Sequence, residues 1–426
     1  AFRSFRDRGF IFAKTLGVLI VTYVAWLVAS LHVLPYTRLT IAGAAALLLI
    51  AGLGVAWWGR RKVYAFVRRE WRTLLLEEGL FLAFFGAFLL VRLGNPDLWH
   101  PAMGGEKPMD LAYLNAIIKS TYFPPYDPWF AGGYINYYYY GWVVVATLIK
   151  LTGIVPWVAY NLTIPTLFAL VAMGASCVVF NLMPREEDEA AWLPRALRYG
   201  LVGALLVAVA GNLGEVKLLL NGLQELGKSV KLESTLPGLV PLVRAAVGLW
   251  AVLAQGKQMP FRPEWWYWNA SRVMGHGEIN EFPFFTFLYA DLHAHLIAMP
   301  FALLALGLAV GVLARPQGAS PRLARDEATE GQSARLPGWP RWAQALVSRW
   351  RRLDWAKGLQ LTLMALVVGE LWCNNTWDFP TYLGISVAAL AIGIYAERQR
   401  VDMDGILQWA ARAAYVLALS MILYRP

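Results

Sequence analysis

Charge is what this sequence has least of. Asp, Glu, Lys and Arg make up 15% of its 426 residues, against roughly 25% in ordinary globular chains. Beside 58% hydrophobic residues, that scarcity excludes a disordered chain, which has too little apolar surface to bury, and a conventional cytosolic enzyme. Cysteine is nearly missing. Cys177 and Cys373 both lie in apolar runs, so neither a disulfide framework nor a cysteine-based metal site is expected. The glycine pairs Gly104-Gly105 and Gly132-Gly133 lack the context that a phosphate-cradling loop requires, and no Gly-x-Ser-x-Gly elbow occurs. No internal repeat is visible.

What is present is a series of long apolar runs. A spanning helix needs about 20 mostly apolar residues. Runs that qualify are 15–34, 40–58, 78–94, 159–183, 199–214, 294–314, 358–373, 379–396 and 408–424. The chain therefore reads as an all-α, polytopic transmembrane helix bundle, a single membrane domain over 1–426. It starts at Ala1, and Tyr424-Arg425-Pro426 interrupts the last run, so an incomplete chain is expected. The run 137–154 is ambiguous: short, opened by four tyrosines and holding Lys150.

Basic residues decide its orientation. The formal net charge is +10, and cytoplasmic loops of membrane proteins carry the Lys/Arg excess. Both 59–77 and 315–357 are rich in Arg and Lys. If 137–154 spanned, they would fall on opposite sides; if it lies in the membrane plane or re-enters, every basic loop falls inside. The second arrangement is expected, with the tyrosines at headgroup level. It leaves long outer loops at 95–158 and 215–293, and a flexible cytoplasmic linker within 315–357, richest in Gly, Pro, Ser, Arg and Glu over 317–340. The basic residues form no dense stripe interleaved with aromatics, so nucleic acid is not an expected partner; membrane lipid is.

Most informative polar residues gather on the outer side. Pro108 suits the first turn of a helix, and Asp110 would sit in that turn, favoured by the dipole. Met109, Leu111, Leu114, Ile117 and Ile118 fit one face of a short helix lying on the membrane. Glu106 and Asp110, four apart, would share a face if the helix starts early; two carboxylates there can act as a general base or as metal ligands. The plainer reading is a helix start decorated by acids. Asn136 offers a hydrogen bond beside the run Tyr137–Tyr140. The second loop ends with Arg272, His276, Glu278, Glu281, Asp291, His293 and His295 just before a span. Asp291, His293 and His295 share one side of a strand but spread around a helix, and their spacing is no strong zinc signature. Arg272, with His276 or His293, suits phosphate. Glu370, inside an expected span near Asn374, Asn375 and Asp378, is costly there unless it meets a cavity or a partner.

The motifs Glu106-Lys107-Pro108-Met109-Asp110, Pro124-Pro125-x-Asp127-Pro128-Trp129, Ile135-Asn136-Tyr137-Tyr138-Tyr139-Tyr140-Gly141, Ser271-Arg272-Val273, Glu281-Phe282-Pro283-Phe284-Phe285 and Asp291-Leu292-His293 together resemble the chloroflexal and archaeal YYY membrane-protein family. These are uncharacterised multi-pass proteins named for the tyrosine run. The resemblance implies the plasma membrane of a prokaryote. That family is in turn similar to the GT-C superfamily of membrane glycosyltransferases. This second similarity implies a GT-C-like bundle with in-plane helices in the first outer loop, a polyprenyl-phosphate-linked sugar donor, and an acidic residue in that loop.

Met109-Asp110 with Tyr113 looks like that acidic motif, although Met109 stands where many members have a second acid. On this reading the active-site face points outward. Asp110 is the catalytic base, with Glu106 as the alternative. Lys107, Asn136, Tyr137, Arg272, His276 and His293 contact substrate. Glu281, Asp291 and His295 orient the sugar or hold a divalent cation, Mg or Mn. Two other readings compete: a non-catalytic membrane subunit that binds lipid or scaffolds membrane protein partners, and a transporter of lipid-linked sugars.

Overall fold

The structure, a computed structural model, describes residues 1–99, 105–183, 189–262, 265–274, 278–314 and 355–425. It is all-α, with no strand among the described residues and a single isolated bridge between Tyr126 and Tyr134. The chain divides into two compact units, residues 1–203 with 292–426, and residues 204–291. The expected linker at 317–340 lies outside the described residues.

The first unit begins with α1 (Phe10–Ser30), α2 (Arg38–Trp58) and α3 (Arg60–Gly94). Asp7 starts α1 by accepting a hydrogen bond from the Ile11 N–H at 3.1 Å. The α3 helix is 35 residues long. At 1.5 Å per residue it runs about 52 Å, well beyond a hydrocarbon core of about 30 Å. The basic segment expected as a loop at 59–77 is therefore the first half of a helix. Arg, Lys, Leu and Glu are strong helix formers, and nothing between Arg60 and Glu78 breaks the run.

After α4 (Lys107–Lys119) and α5 (Tyr140–Thr152) come α6 (Pro156–Leu182) and α7 (Glu189–Ala208). The 13-residue α5 is about 20 Å long, too short to cross. It does not lie flat on a surface either. Tyr140 through Thr147 are all buried, and it packs against α1, α2, α4 and α6. Lys150, the oddity of this run, donates to the carbonyls of Tyr36 and Ser120 and sits over the Tyr36 ring. It stitches α5 to two connecting loops.

The expected run 199–214 is corrected. The helix starts at Glu189 and stops at Ala208, because Asn212 closes a turn by accepting from the Gly214 N–H at 2.8 Å. The unit is completed by α12 (Ala294–Leu313), α13 (Trp355–Asn374), α14 (Asp378–Arg398) and α15 (Met403–Leu423). Among the described residues, eight helices are long and apolar enough to cross a membrane: α1, α2, α3, α6, α12, α13, α14 and α15.

The helix bundle of this unit has two chemically different ends. At one, Arg6 pairs with Glu70 at 2.8 Å, Lys357 with Glu397 at 2.9 Å and Arg398 with Asp402 at 2.7 Å. The other end is aromatic: His32 stacks on Tyr122, and Tyr137 lies beside His293.

The second unit holds α8 (Gly214–Leu226), α9 (Leu239–Gln255), α10 (Trp265–Trp268), a 3-10 turn at Asn269–Arg272, and α11 (Pro283–Tyr289). α8 and α9 form a close hairpin. A Cβ on Gly248 would collide with the Leu223 backbone, so only glycine permits that approach.

Candidate functional site

At the aromatic end of the first unit, three segments converge: the start of α4, the tyrosine run before α5, and the start of α12. Pro108 opens α4, and Asp110 falls in its first turn, as the sequence pattern requires. The Asp110 N–H donates to the Glu106 carbonyl at 2.9 Å. One helical turn thus fixes both carboxylates, but their surroundings differ. Asp110 is fully buried, whereas the Glu106 side chain is 56% exposed.

Asp110 is held from below. The Tyr160 hydroxyl, near the start of α6, lies 3.4 Å from Asp110 Oδ2 and accepts the Leu292 N–H at 2.7 Å. The Leu292 carbonyl accepts the Trp142 Nε1–H at 2.7 Å. Both backbone groups of Leu292 are thereby satisfied, which fixes the chain just where His293 leads into α12.

His293 is the centre of the exposed layer. Its Nε2 lies 3.0 Å from Glu106 Oε2 and 2.9 Å from the Tyr137 hydroxyl. Its Nδ1 lies 3.2 Å from Nδ1 of His295. A hydrogen bond between two ring nitrogens requires one proton between them. When His293 supplies it, a neutral ring presents bare Nε2 to the tyrosine hydroxyl. When His295 supplies it, Nε2–H faces the Glu106 carboxylate. A proton can thus be passed along Glu106, His293 and His295 by a change of tautomer. Tyr137 is pushed above its ordinary value by burial and then by Glu106 nearby, so its hydroxyl keeps its proton. Tyr113 and Trp142 extend the aromatic wall, their ring centres 5.3 Å apart.

Of the sequence-expected site residues, Glu106, Lys107, Asp110, Tyr137, His293 and His295 belong to this end of the first unit. Lys107 is buried and Asn136 exposed. Arg272, Glu281 and Asp291 belong to the second unit. There Arg272 lies over the Trp268 ring at 4.0 Å and donates to Ser271 Oγ at 2.5 Å, while Glu281 accepts from Thr286 Oγ1 at 3.1 Å. His276 lies outside the described residues. Among the described residues, no three His, Cys, Asp or Glu side chains come together to hold a metal ion.

Tyr160 and Trp142 were not foreseeable as site residues. Each sits in an apolar run, and its partner at Leu292 is 132 or 150 positions away. Sequence reading also passes over a charged cluster at the basic end. Glu70 is buried between Arg6, Arg69 and Thr73, and buried Glu77 follows two turns on in α3.

The family profile described as uncharacterized membrane protein (DUF2298) matches residues 20–426. The chain belongs to that family and is a multi-pass membrane protein. No curated protein and no solved structure matches it.

Proposed function

We propose that this chain is an integral-membrane glycosyltransferase working at the outer membrane face on a polyprenyl-phosphate-linked sugar. The observation that carries the reading is the half-exposed Glu106 carboxylate against His293, at a site walled by tyrosines at one end of a multi-pass bundle. A carboxylate paired with an imidazole can take a proton from an acceptor hydroxyl and share it with a second ring. Exposure favours Glu106 over Asp110 as the base. Glu106 can meet a substrate; Asp110, with no exposed surface, serves as a positioning residue through Tyr160 and Leu292. The resemblance to membrane glycosyltransferases supplies the lipid-linked donor. In the second unit, the Arg272 guanidinium, backed by Trp268, offers N–H donors that suit a phosphate. The divalent cation expected at Glu281, Asp291 and His295 forms no part of this reading, because no three such side chains come together among the described residues.

The test is transfer from a polyprenyl-phosphate sugar by the protein in nanodiscs. Glu106→Gln should lower kcat by about 10²–10⁴-fold with an unchanged melting temperature. Full activity in that variant would remove the base assignment.

A transport reading is favoured by one separate observation, the buried carboxylates Glu70 and Glu77 on α3 and Glu370 on α13. Ionisable residues within membrane helices commonly mark a substrate or proton path. It predicts movement of a fluorescent lipid-linked sugar between liposome leaflets, lost in Glu77→Gln.

A further inference from the structure

A concavity with a volume of about 800 Å³ opens beside the second half of α4, inside the range of small-molecule sites. It is lined by α4, by the loop that follows it and by His32 from the α1–α2 connection. Neither Glu106 nor His293 lines it. We propose that this cleft binds a neutral carbohydrate.

Its walls are aromatic and fixed in place. Tyr126 and Tyr134 stack at 4.9 Å with an 18° tilt. They are clamped by a miniature hairpin in which Ile135 N–H donates to Pro125 O at 2.9 Å and Asp127 N–H to Gly133 O at 3.0 Å. On the opposite side, Tyr122 stacks on His32 at 4.7 Å. Tyr122, Tyr126 and Tyr134 all remain exposed, so each keeps ring surface outside its stack open to a ligand.

Polar groups lie between the aromatic walls. Asn115 donates its amide N–H to the Leu111 carbonyl at 2.8 Å, which orients the side chain and leaves its Oδ1 as an acceptor. Asp127 uses Oδ1 to accept from the backbone of Trp129 and Phe130 at 2.8 and 3.2 Å, leaving Oδ2. His32 uses Nδ1 on the Ser30 carbonyl at 3.1 Å, leaving Nε2.

The charges decide the ligand class. The lining holds one lysine, Lys119, and one carboxylate, Asp127, so the cleft has no net excess of either sign. A phosphate would meet the carboxylate, and a cation the lysine. A pyranose ring offers an apolar C–H face to a tyrosine and hydroxyls that both donate and accept, which suits this mixture. An aromatic membrane belt alone would not require a concave wall with an oriented amide.

The inference rests on the cleft and stands independently of transferase activity. The full chain, in phosphatidylcholine nanodiscs, is titrated with maltotriose, cellotriose and triacetylchitotriose by saturation-transfer NMR. A second titration uses vesicles carrying a neutral glucosyl lipid. Saturation transfer to at least one trisaccharide, weakened about tenfold or more in Tyr126→Ala and in Asn115→Ala but unchanged in Glu106→Gln, supports a soluble or polymeric glycan. The same pattern with the glycolipid alone supports a glycolipid headgroup. Melting temperatures of the variants within a few degrees of the parent exclude loss of fold. Binding of neither probe, or binding that both cleft variants leave intact, overturns the proposal.

Discussion

At the level of single residues, small side chains in this chain carry large consequences. Gly141 sits in α5 where a Cβ would overlap Oδ1 of Asn374, and Asn374 itself donates to Glu370 at 2.7 Å. Gly141→Ala must push α5 away from α13. Overpacking of this kind costs about 1–3 kcal/mol and should appear as a lower melting temperature in detergent, whereas Gly384→Ala, with open space around its Cα, should melt near the parent. Lys150 gives a pH signature. Burial holds its ammonium down to about 8, against an ordinary 10.5. Below about pH 8 the lysine is charged in both folded and unfolded chains, and its cost to the fold is constant. Between about 8 and 10.5 the unfolded chain holds more protons, so this residue's contribution to stability rises with pH. The melting temperature followed from pH 7.5 to 10 should carry that upward component, and Lys150→Met should remove it; an identical pH profile in the two proteins would refute the assignment.

Among the elements, the junction of α5, α6 and α12 is the most tightly specified. Trp142 and Tyr160 bond the carbonyl and amide of the same residue, Leu292. Trp142→Phe or Tyr160→Phe leaves a buried backbone group unsatisfied, at about 1–3 kcal/mol each. Because both hold one residue, through its two flanking peptide groups, the double variant should lose less than the two singles together, which a double-mutant cycle on melting data will reveal. Additive losses would show that the two bonds act independently. Sequence legibility divides along the same lines. The start of α4 was readable, since Pro108 and the apolar spacing from Met109 to Ile118 are local signals, and these placed Asp110 in the first turn. What local pattern cannot express is partnership at long range. It marked Asp110 and Glu106 alike as acids near a helix start. The difference between them, full burial against half exposure, comes from Tyr160 and His293, which lie far along the chain. The run expected at 199–214 lies instead on a helix from Glu189 to Ala208, its end set by a local feature that hydropathy ignores, the turn closed by Asn212.

For the whole molecule, the distribution of charge over the first unit implies an orientation. The end that carries Arg6, Lys357, Arg398 and Arg400, together with the helical basic segment beginning at Arg60, holds the Lys/Arg excess that belongs in the cytoplasm. On the proposed orientation, the end that carries Glu106, Tyr137 and His293 faces outward. Chain parity is consistent only if α5 does not cross and the 20-residue α7, about 30 Å long, does: α3 ends and α6 begins at the aromatic end, as the bond between Arg92 and Asn161 at 2.6 Å requires, and α12 begins there too. Exposed Ala131 lies between α4 and α5, and exposed Val401 between α14 and α15. With Cys177 and Cys373 first replaced by alanine, Ala131→Cys should react in intact cells with a membrane-impermeant maleimide. Val401→Cys should react only after the membrane is opened. Labelling of both positions from one side would mean that α5 crosses or that α7 does not, and the outward placement of the Glu106–His293 pair would fall with it. The reverse pattern would keep the bundle and invert it, which would place the proposed transfer chemistry in the cytoplasm, against the sign of the charge.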